Sequence, residues 1–264
     1  TADWIKHFAA STFLLQPFFP SADYFFSFNS PSWSLGCEQL FYFCFPLIVP
    51  FLHTKRSLFI TLLICLPIML AGMYLTNEEQ IKAYWYVNPF TRLPDFFVGV
   101  LLYQFYRSLC NKKLSYSTGT LLEAGAVALF LLFFLCAADI PKVYRYSCYY
   151  WLPVSLIILI FALQQGGISR LLSNRFLIIG GEISYSFYLI HLFIIDAYMR
   201  MSAHYHWQIQ WTISVPVILC ITIILSLLSF YYFEKPANKW VKRIFTKKTI
   251  INQPHGIINK NTTN

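Results

Sequence analysis

From Cys37 to Leu52 the chain reads CEQLFYFCFPLIVPFL, a nearly unbroken apolar run whose second residue is a glutamate. Ser32, Trp33, Ser34 and Leu35 stand just before it. Such a run reads as a helix in hydrocarbon, where a carboxylate drawn toward the centre costs roughly 2.5–3.5 kcal/mol on insertion scales. Glu38 therefore needs a reason. It is either an interfacial residue reaching headgroup water or a residue with structural or chemical work inside a bundle. Tyr42 lies four residues on, on the same helical face, where its phenol can hydrogen-bond the carboxylate.

The rest of the chain has the same character. Of its 264 residues, 57% are hydrophobic and 12% charged, whereas soluble domains average about a quarter charged. The expectation is an all-α fold, a polytopic integral membrane bundle of seven to eight spans. Seven apolar runs are long enough to span alone or when bundled: residues 37–52, 56–75, 90–106, 118–138, 149–163, 176–199 and 211–233. An eighth, weaker stretch, residues 5–19, carries Lys6, His7, Gln16 and Pro17. It reads as the end of a span, a re-entrant piece or an interfacial helix. One membrane domain over residues 1–248 and a disordered tail over 249–264 follow from this pattern.

A net charge of +9 raises the question of nucleic acid, but the bases alternate between loops. Lys55 and Arg56, then Arg107, Lys112 and Lys113, then Arg170 and Arg175, then the stretch 235–260 hold most of the 20 Lys and Arg. The intervening loops hold Asp23, Glu78, Glu79 and Asp139. The positive-inside rule then puts the basic loops and the C-terminus in the cytoplasm and the Ser32–Leu35 entrance outside. The partner this charge implies is a bilayer, not nucleic acid. Lys112, Lys113 and Arg170 serve topology and headgroups or, alternatively, attract the phosphates of a cofactor. The seven cysteines show no CxxC spacing and read as small hydrophobes. No metal site is visible, and His204 and His206 are too sparse for one. Asn261-Thr262-Thr263 matches a glycosylation acceptor but falls on the inward tail.

Three other sets of polar residues stand out. Arg92 and Asp95 are three apart at the start of one span and can pair on one face, with Gly99 a turn further on. Within 176–199, FLIIGGEISYSFYLIHLFIIDAYM, the residues Gly180, Ser184, Tyr188, His191 and Ile195 form a stripe. Its small end invites a neighbouring helix, and His191 falls near mid-membrane. It is either a satisfied structural histidine or a group that exchanges protons. Asp196 and Arg200 are spaced to pair. Finally, Tyr231-Tyr232-Phe233-Glu234-Lys235-Pro236 reads as an aromatic belt, a charged stop and a helix breaker.

Taken in order, these pieces resemble the membrane-bound acyltransferase 3 family. Ser32-Trp33-Ser34-Leu35 with Glu38, Phe41 and Tyr42 resembles its SWSLxxExxFY signature, with Gln39 where a second acid is common. Arg92 with Asp95-Phe96 and Gly99 resembles its Arg, acid-Phe, Gly block. Gly180 with Ser184-Tyr185-Ser186, Tyr188-Leu189 and His191 resembles GxxSYxxYLxH, and Tyr232 to Pro236 resembles the closing Glu-x-Pro block.

The resemblance implies a membrane O-acyltransferase that moves an acyl group, acetyl in the first instance, from cytoplasmic acyl-CoA to a hydroxyl of an extracytoplasmic glycan or lipid-linked sugar, such as a polysaccharide or lipopolysaccharide. Acyl-CoA is the donor substrate, and no cofactor is bound permanently. The supporting or passage-lining candidates are Trp33, Ser34, Glu38, Tyr42, Arg92, Asp95, Ser184, Tyr185 and His191. The family's catalytic histidine follows an arginine on its first transmembrane helix, and an Arg-x-x-Arg pair lies nearby. Neither pattern occurs here, which places the base upstream of Thr1. Two rivals stay open. One is a transporter-like bundle, compatible with helices broken at Pro46, Pro67 and Pro153, and the other is an inactive paralogue or fragment.

Overall fold

Polar caps set where the long helices begin. In the computed structural model, which describes residues 2–51, 54–207 and 210–251, the Thr54 hydroxyl accepts from the Ser57 N–H at the start of α4 (Lys55–Tyr74). Asn88 does the same for Phe90 in α5 (Pro89–Leu109), whose first residue is a proline. Ser115 caps α6 (Tyr116–Cys136) through Thr118. Each cap supplies an acceptor to an N–H that the first helical turn leaves unpaired.

Among the described residues the chain is helical without strands. Ahead of α4 come α1 (Ala2–Thr12), the short α2 (Ala22–Phe25) and α3 (Trp33–Ile48). After α6 come the short α7 (Lys142–Arg145), α8 (Trp151–Leu163), α9 (Gly167–Leu172), α10 (Arg175–Tyr205), α11 (Trp211–Ser229) and α12 (Lys235–Ile251). The chain forms two compact units, residues 1–178 and 179 onward. In the first, α5 packs on α3, α4 and α8, and α6 packs on α8 and α9.

The stretch 5–19 is not one helix. α1 ends at Thr12, Leu14 takes a positive φ of 56°, and a tight turn over Gln16–Phe18 settles on the start of α3. Gln16 is fully buried there and donates to the Ser32 hydroxyl at 2.9 Å. Gly36 makes the close approach possible, because a Cβ on it would stand 2.5 Å from the Leu14 carbonyl oxygen.

Among the described residues, four helices are long and apolar enough to cross a membrane: Lys55–Tyr74, Tyr116–Asp139, Arg175–Tyr205 and the continuous Trp211–Phe245. These four fall among the seven apolar runs read from the sequence. α3 has 16 residues and α8 has 13, or about 24 and 20 Å at 1.5 Å per residue, short of a core of about 30 Å. α5 has the length but carries Arg92, Asp95 and Arg107. The spanning helices bury only 11–22% of their apolar windows, so most of their greasy surface faces outward, as hydrocarbon solvent allows.

Prolines expected to break helices do not. α3 and α4 run through Pro46 and Pro67, and Pro153 lies in the first turn of α8, where its missing N–H has no helical acceptor to serve. Nor does Pro236 stop the chain. Residues Phe230–Glu234 widen into a π-helical turn just before it, and α12 continues to Ile251. Residues 249–251 of the expected tail belong to that helix. The remainder, with Asn261-Thr262-Thr263, lies outside the described residues, as does Leu52 at the end of the first run.

Candidate functional site

α5 opens with the Arg92–Asp95 pair that its three-residue spacing allows. The Arg92 Nη1 stands 2.9 Å from Asp95 Oδ2 and also donates to the Tyr146 carbonyl at 3.0 Å. The other carboxylate oxygen, Oδ1, accepts the Trp151 indole N–H at 2.6 Å. Both side chains are about three-quarters buried, at 23% and 29% exposure, so the pair is screened less than a surface one. Both Asp95 oxygens are engaged, one by a cation and one by a ring donor. The carboxylate is therefore fixed in place.

An aromatic column carries this arrangement back to α3. Trp33, buried, meets Tyr86 at a ring separation of 4.8 Å, and Tyr86 meets Tyr146 at 5.1 Å. Cys37, one turn after Trp33, packs with Phe25 and Val87, and its thiol donates to the Val87 carbonyl at 3.3 Å. The face of α3 that packs inward is thus the one bearing Trp33, Cys37 and Phe41.

Glu38 and Tyr42 lie round the helix from that face. Both are exposed, Tyr42 at 70%, and the hydrogen bond expected between them is not formed. The four-residue spacing permits that bond, but the side chains point to open surface where no third group holds them together. Ser34 bonds back to the Pro31 carbonyl at 3.2 Å.

An open groove of about 960 Å³ runs along α5 between Phe41 and Phe45 of α3, with Val49 just past its end, and Asp95, Gly99 and Arg107 of α5. A smaller cavity of about 260 Å³ lies between α5 and α8, and Asp95 and Gly99 line it as well. The groove is in the size range of small-molecule sites. A Cβ on Gly99 would meet no atom within 4 Å, so this glycine leaves free space where the two volumes share a wall.

Ser184, Tyr185 and His191 belong to the second unit, on α10. The Ser184 hydroxyl donates to its own helix at the Gly181 carbonyl, 2.7 Å away. His191 Nδ1 lies 2.7 Å from the Tyr188 carbonyl, and its ring is stacked parallel to Phe187. Tyr185 is 45% exposed. Among the described residues, a Cβ on Gly180 or Gly181 would also meet nothing within 4 Å. Within its unit α10 makes contact through Ser186, which is buried and donates to Glu234 at 3.0 Å in the π-helical turn, and through Tyr198, whose hydroxyl lies 2.6 Å from that of Ser214. Small residues permit close approach; here a hydroxyl and a carboxylate on another face fix where it happens.

Asp196 and Arg200 form the expected pair at 2.9 Å, largely exposed. Among the described residues no group of three His, Cys, Asp or Glu side chains converges as metal ligands would.

Sequence reading missed one carboxylate. Glu123, 1% exposed inside α6, accepts from the backbone N–H of Gly166 at 2.9 Å and from Ile168 and Ser169 at 2.9 and 3.1 Å. It closes the start of α9, and Gly166 is required there because a Cβ would overlap the carboxylate. A lone acid in an apolar run is itself a signal, and Gly166-Gly167 marks the segment that can approach it. Arg170, on α9, lies 5.0 Å from the Tyr116 ring, so part of its surface is committed to α6.

The helical fold and the apolar surface define a membrane protein. The sequence profile described as an acyltransferase domain, that of acyltransferase 3, matches residues 2–231, and the chain belongs to this family. It is similar to the O-acetyltransferase OatA of Staphylococcus aureus, 28% identical over 221 residues, which is 78% of this chain and 36% of that protein. It is also similar to the acyltransferase MdmB of Streptomyces mycarofaciens, 24% identical over 75% of this chain and 54% of that protein. YrhL of Bacillus subtilis, named for peptidoglycan O-acetylation, is 26% identical over 89% of this chain and 39% of its own length. The chain thus spans between 36% and 54% of the length of these relatives. No solved structure matches it.

Proposed function

We propose that the chain is membrane machinery of an O-acyltransferase that moves an acyl group, acetyl in the first instance, from cytoplasmic acyl-CoA to a hydroxyl of an extracytoplasmic glycan. Peptidoglycan is the acceptor that the name of one relative, YrhL, suggests. The observation that carries this reading is that Asp95, held by Arg92 and Trp151, lines a groove of about 960 Å³.

Acyl transfer needs the acyl carbon and the acceptor oxygen held together, and it needs donors aimed at charge developing on the thioester oxygen. The apolar wall of Phe41, Phe45 and Val49 suits the acyl group. Asp95 holds the Arg92 guanidinium at the end of α5 nearest the Tyr146 carbonyl, where a fixed cation stabilises negative charge. The general base that takes the acceptor proton is assigned to a histidine outside these groups. Glu38 and His191 act in support.

Transfer of radiolabelled acetyl from acetyl-CoA to cell-wall glycan, in membranes holding the protein that carries this chain, tests the reading. Arg92→Gln is expected to lower it by about two orders of magnitude, the loss typical of one transition-state donor. Transfer at the normal rate in that variant sinks the role of Arg92, and absence of transfer by the unaltered protein to any glycan sinks the reading itself.

A further inference from the structure

The continuous helix Trp211–Phe245 is too long for the bilayer it enters. Its 35 residues rise about 52 Å at 1.5 Å per residue, against a hydrocarbon core of about 30 Å. Tyr231, Tyr232 and Phe233 are exposed at its π-helical turn and suit the aromatic level of an interface. α12, which starts at Lys235, therefore begins where the hydrocarbon ends.

The sequence of α12 is KPANKWVKRIFTKKTII, with no acidic residue. At 3.6 residues per turn, Ala237, Trp240, Val241, Ile244 and Phe245 share an arc of about 140°. Lys239 falls opposite, and Lys242 and Arg243 fall on either flank. Residues 235–245 are exposed on every side, with Trp240 at 66% and Val241 and Ile244 at 42% each. Lys235 is engaged at the turn, 5.1 Å from the Tyr231 ring. Continued straight, this helix would hold a tryptophan and two β-branched residues in water beyond the headgroups. A π-helical turn followed by Pro236 is a place where a helix axis turns readily, and the nearest apolar medium is the bilayer just left.

We propose that α12 lies along the bilayer surface and binds anionic phospholipid headgroups. Its apolar arc enters the acyl boundary, and Lys242 and Arg243 reach down on both sides to the phosphates, with Lys239 adding to the attraction. The charge complementarity is one-sided, with three cations and no acid within residues 237–245, which selects an anionic surface over a zwitterionic one. This inference is independent of the chemistry proposed above.

Hydrogen–deuterium exchange of the full chain in lipid nanodiscs tests it, comparing phosphatidylcholine alone with phosphatidylcholine mixed with phosphatidylglycerol. Backbone amides of residues 237–245 are expected to exchange on the order of tenfold more slowly in the anionic discs, and high salt should abolish the difference. Lys239→Gln/Lys242→Gln/Arg243→Gln should also abolish it while exchange in α4 and α6 stays unchanged. The charge-keeping Lys239→Arg/Lys242→Arg should retain it, as should Lys112→Gln/Lys113→Gln, which alters bases elsewhere. Equal exchange in the two lipids, or protection that persists in the neutral triple variant, overturns the proposal.

Discussion

Asp95 and Glu123 are both carboxylates on long helices of a membrane protein, and the first unit satisfies them by different means. Asp95 keeps 29% of its side chain exposed and takes a guanidinium on one oxygen and an indole N–H on the other. Glu123 is almost wholly buried and takes three backbone N–H groups from the start of α9. A cation neutralises charge and leaves a pair beside a groove. Free N–H groups at a helix start do the same through partial charges and join two segments. The first solution suits a site, and the second suits a joint.

The joint should break hardest. Glu123→Ala leaves the N–H groups of Gly166, Ile168 and Ser169 buried without an acceptor, and the expected loss is on the order of 3–5 kcal/mol. Thermal unfolding in detergent measures it. Glu123→Gln, which keeps one acceptor oxygen, should fall between, and an alanine variant that unfolds with the unaltered protein would show that the joint carries no weight.

The site should break less in stability and more in activity. Trp151→Phe removes one hydrogen bond to a charged acceptor, about 1.5–3 kcal/mol, and frees an Asp95 oxygen. The same unfolding measurement together with acetyl transfer should show a modest stability loss beside a large activity loss. Equal, small effects on both would make Asp95 a second joint.

Glu38→Gln sharpens the comparison from outside it. Its side chain is exposed, so stability should move by no more than about 0.5 kcal/mol, yet acetyl transfer should be lost with membrane insertion intact. Normal turnover would reduce Glu38 to an interfacial residue. Smallest of all, Asp196→Asn removes an exposed pair four residues apart, worth about 0.2–0.5 kcal/mol and visible only as a slight shift in unfolding.

What the sequence made legible follows the same division. Arg92 and Asp95 lie three apart on one helix, so local spacing was enough to pair them. Trp151 and the Tyr146 carbonyl are more than fifty residues away in the chain, and an indole and a backbone oxygen carry no charge pattern that points to Asp95. Glu123 stood in plain view within an apolar run, but its partners are backbone groups, which every residue possesses. On α3, spacing named Glu38 and Tyr42, whereas packing chose the neighbouring face of Trp33, Cys37 and Phe41, because only contacts with Tyr86 and Val87 decide which way the helix turns. Apolar runs predicted most helices closely, but composition does not show that α3 and α8 are only 16 and 13 residues long.

The central claim is that Arg92 and Asp95 act as one unit in acyl transfer, and a double-mutant cycle tests it most directly. Acetyl transfer is measured for Arg92→Gln, Asp95→Asn and the double variant, each checked for folding by size-exclusion chromatography. If the two residues form one unit, each single variant loses about 100-fold and the double loses little more than the worse single. Losses that multiply, or single variants that keep full transfer, would contradict the account.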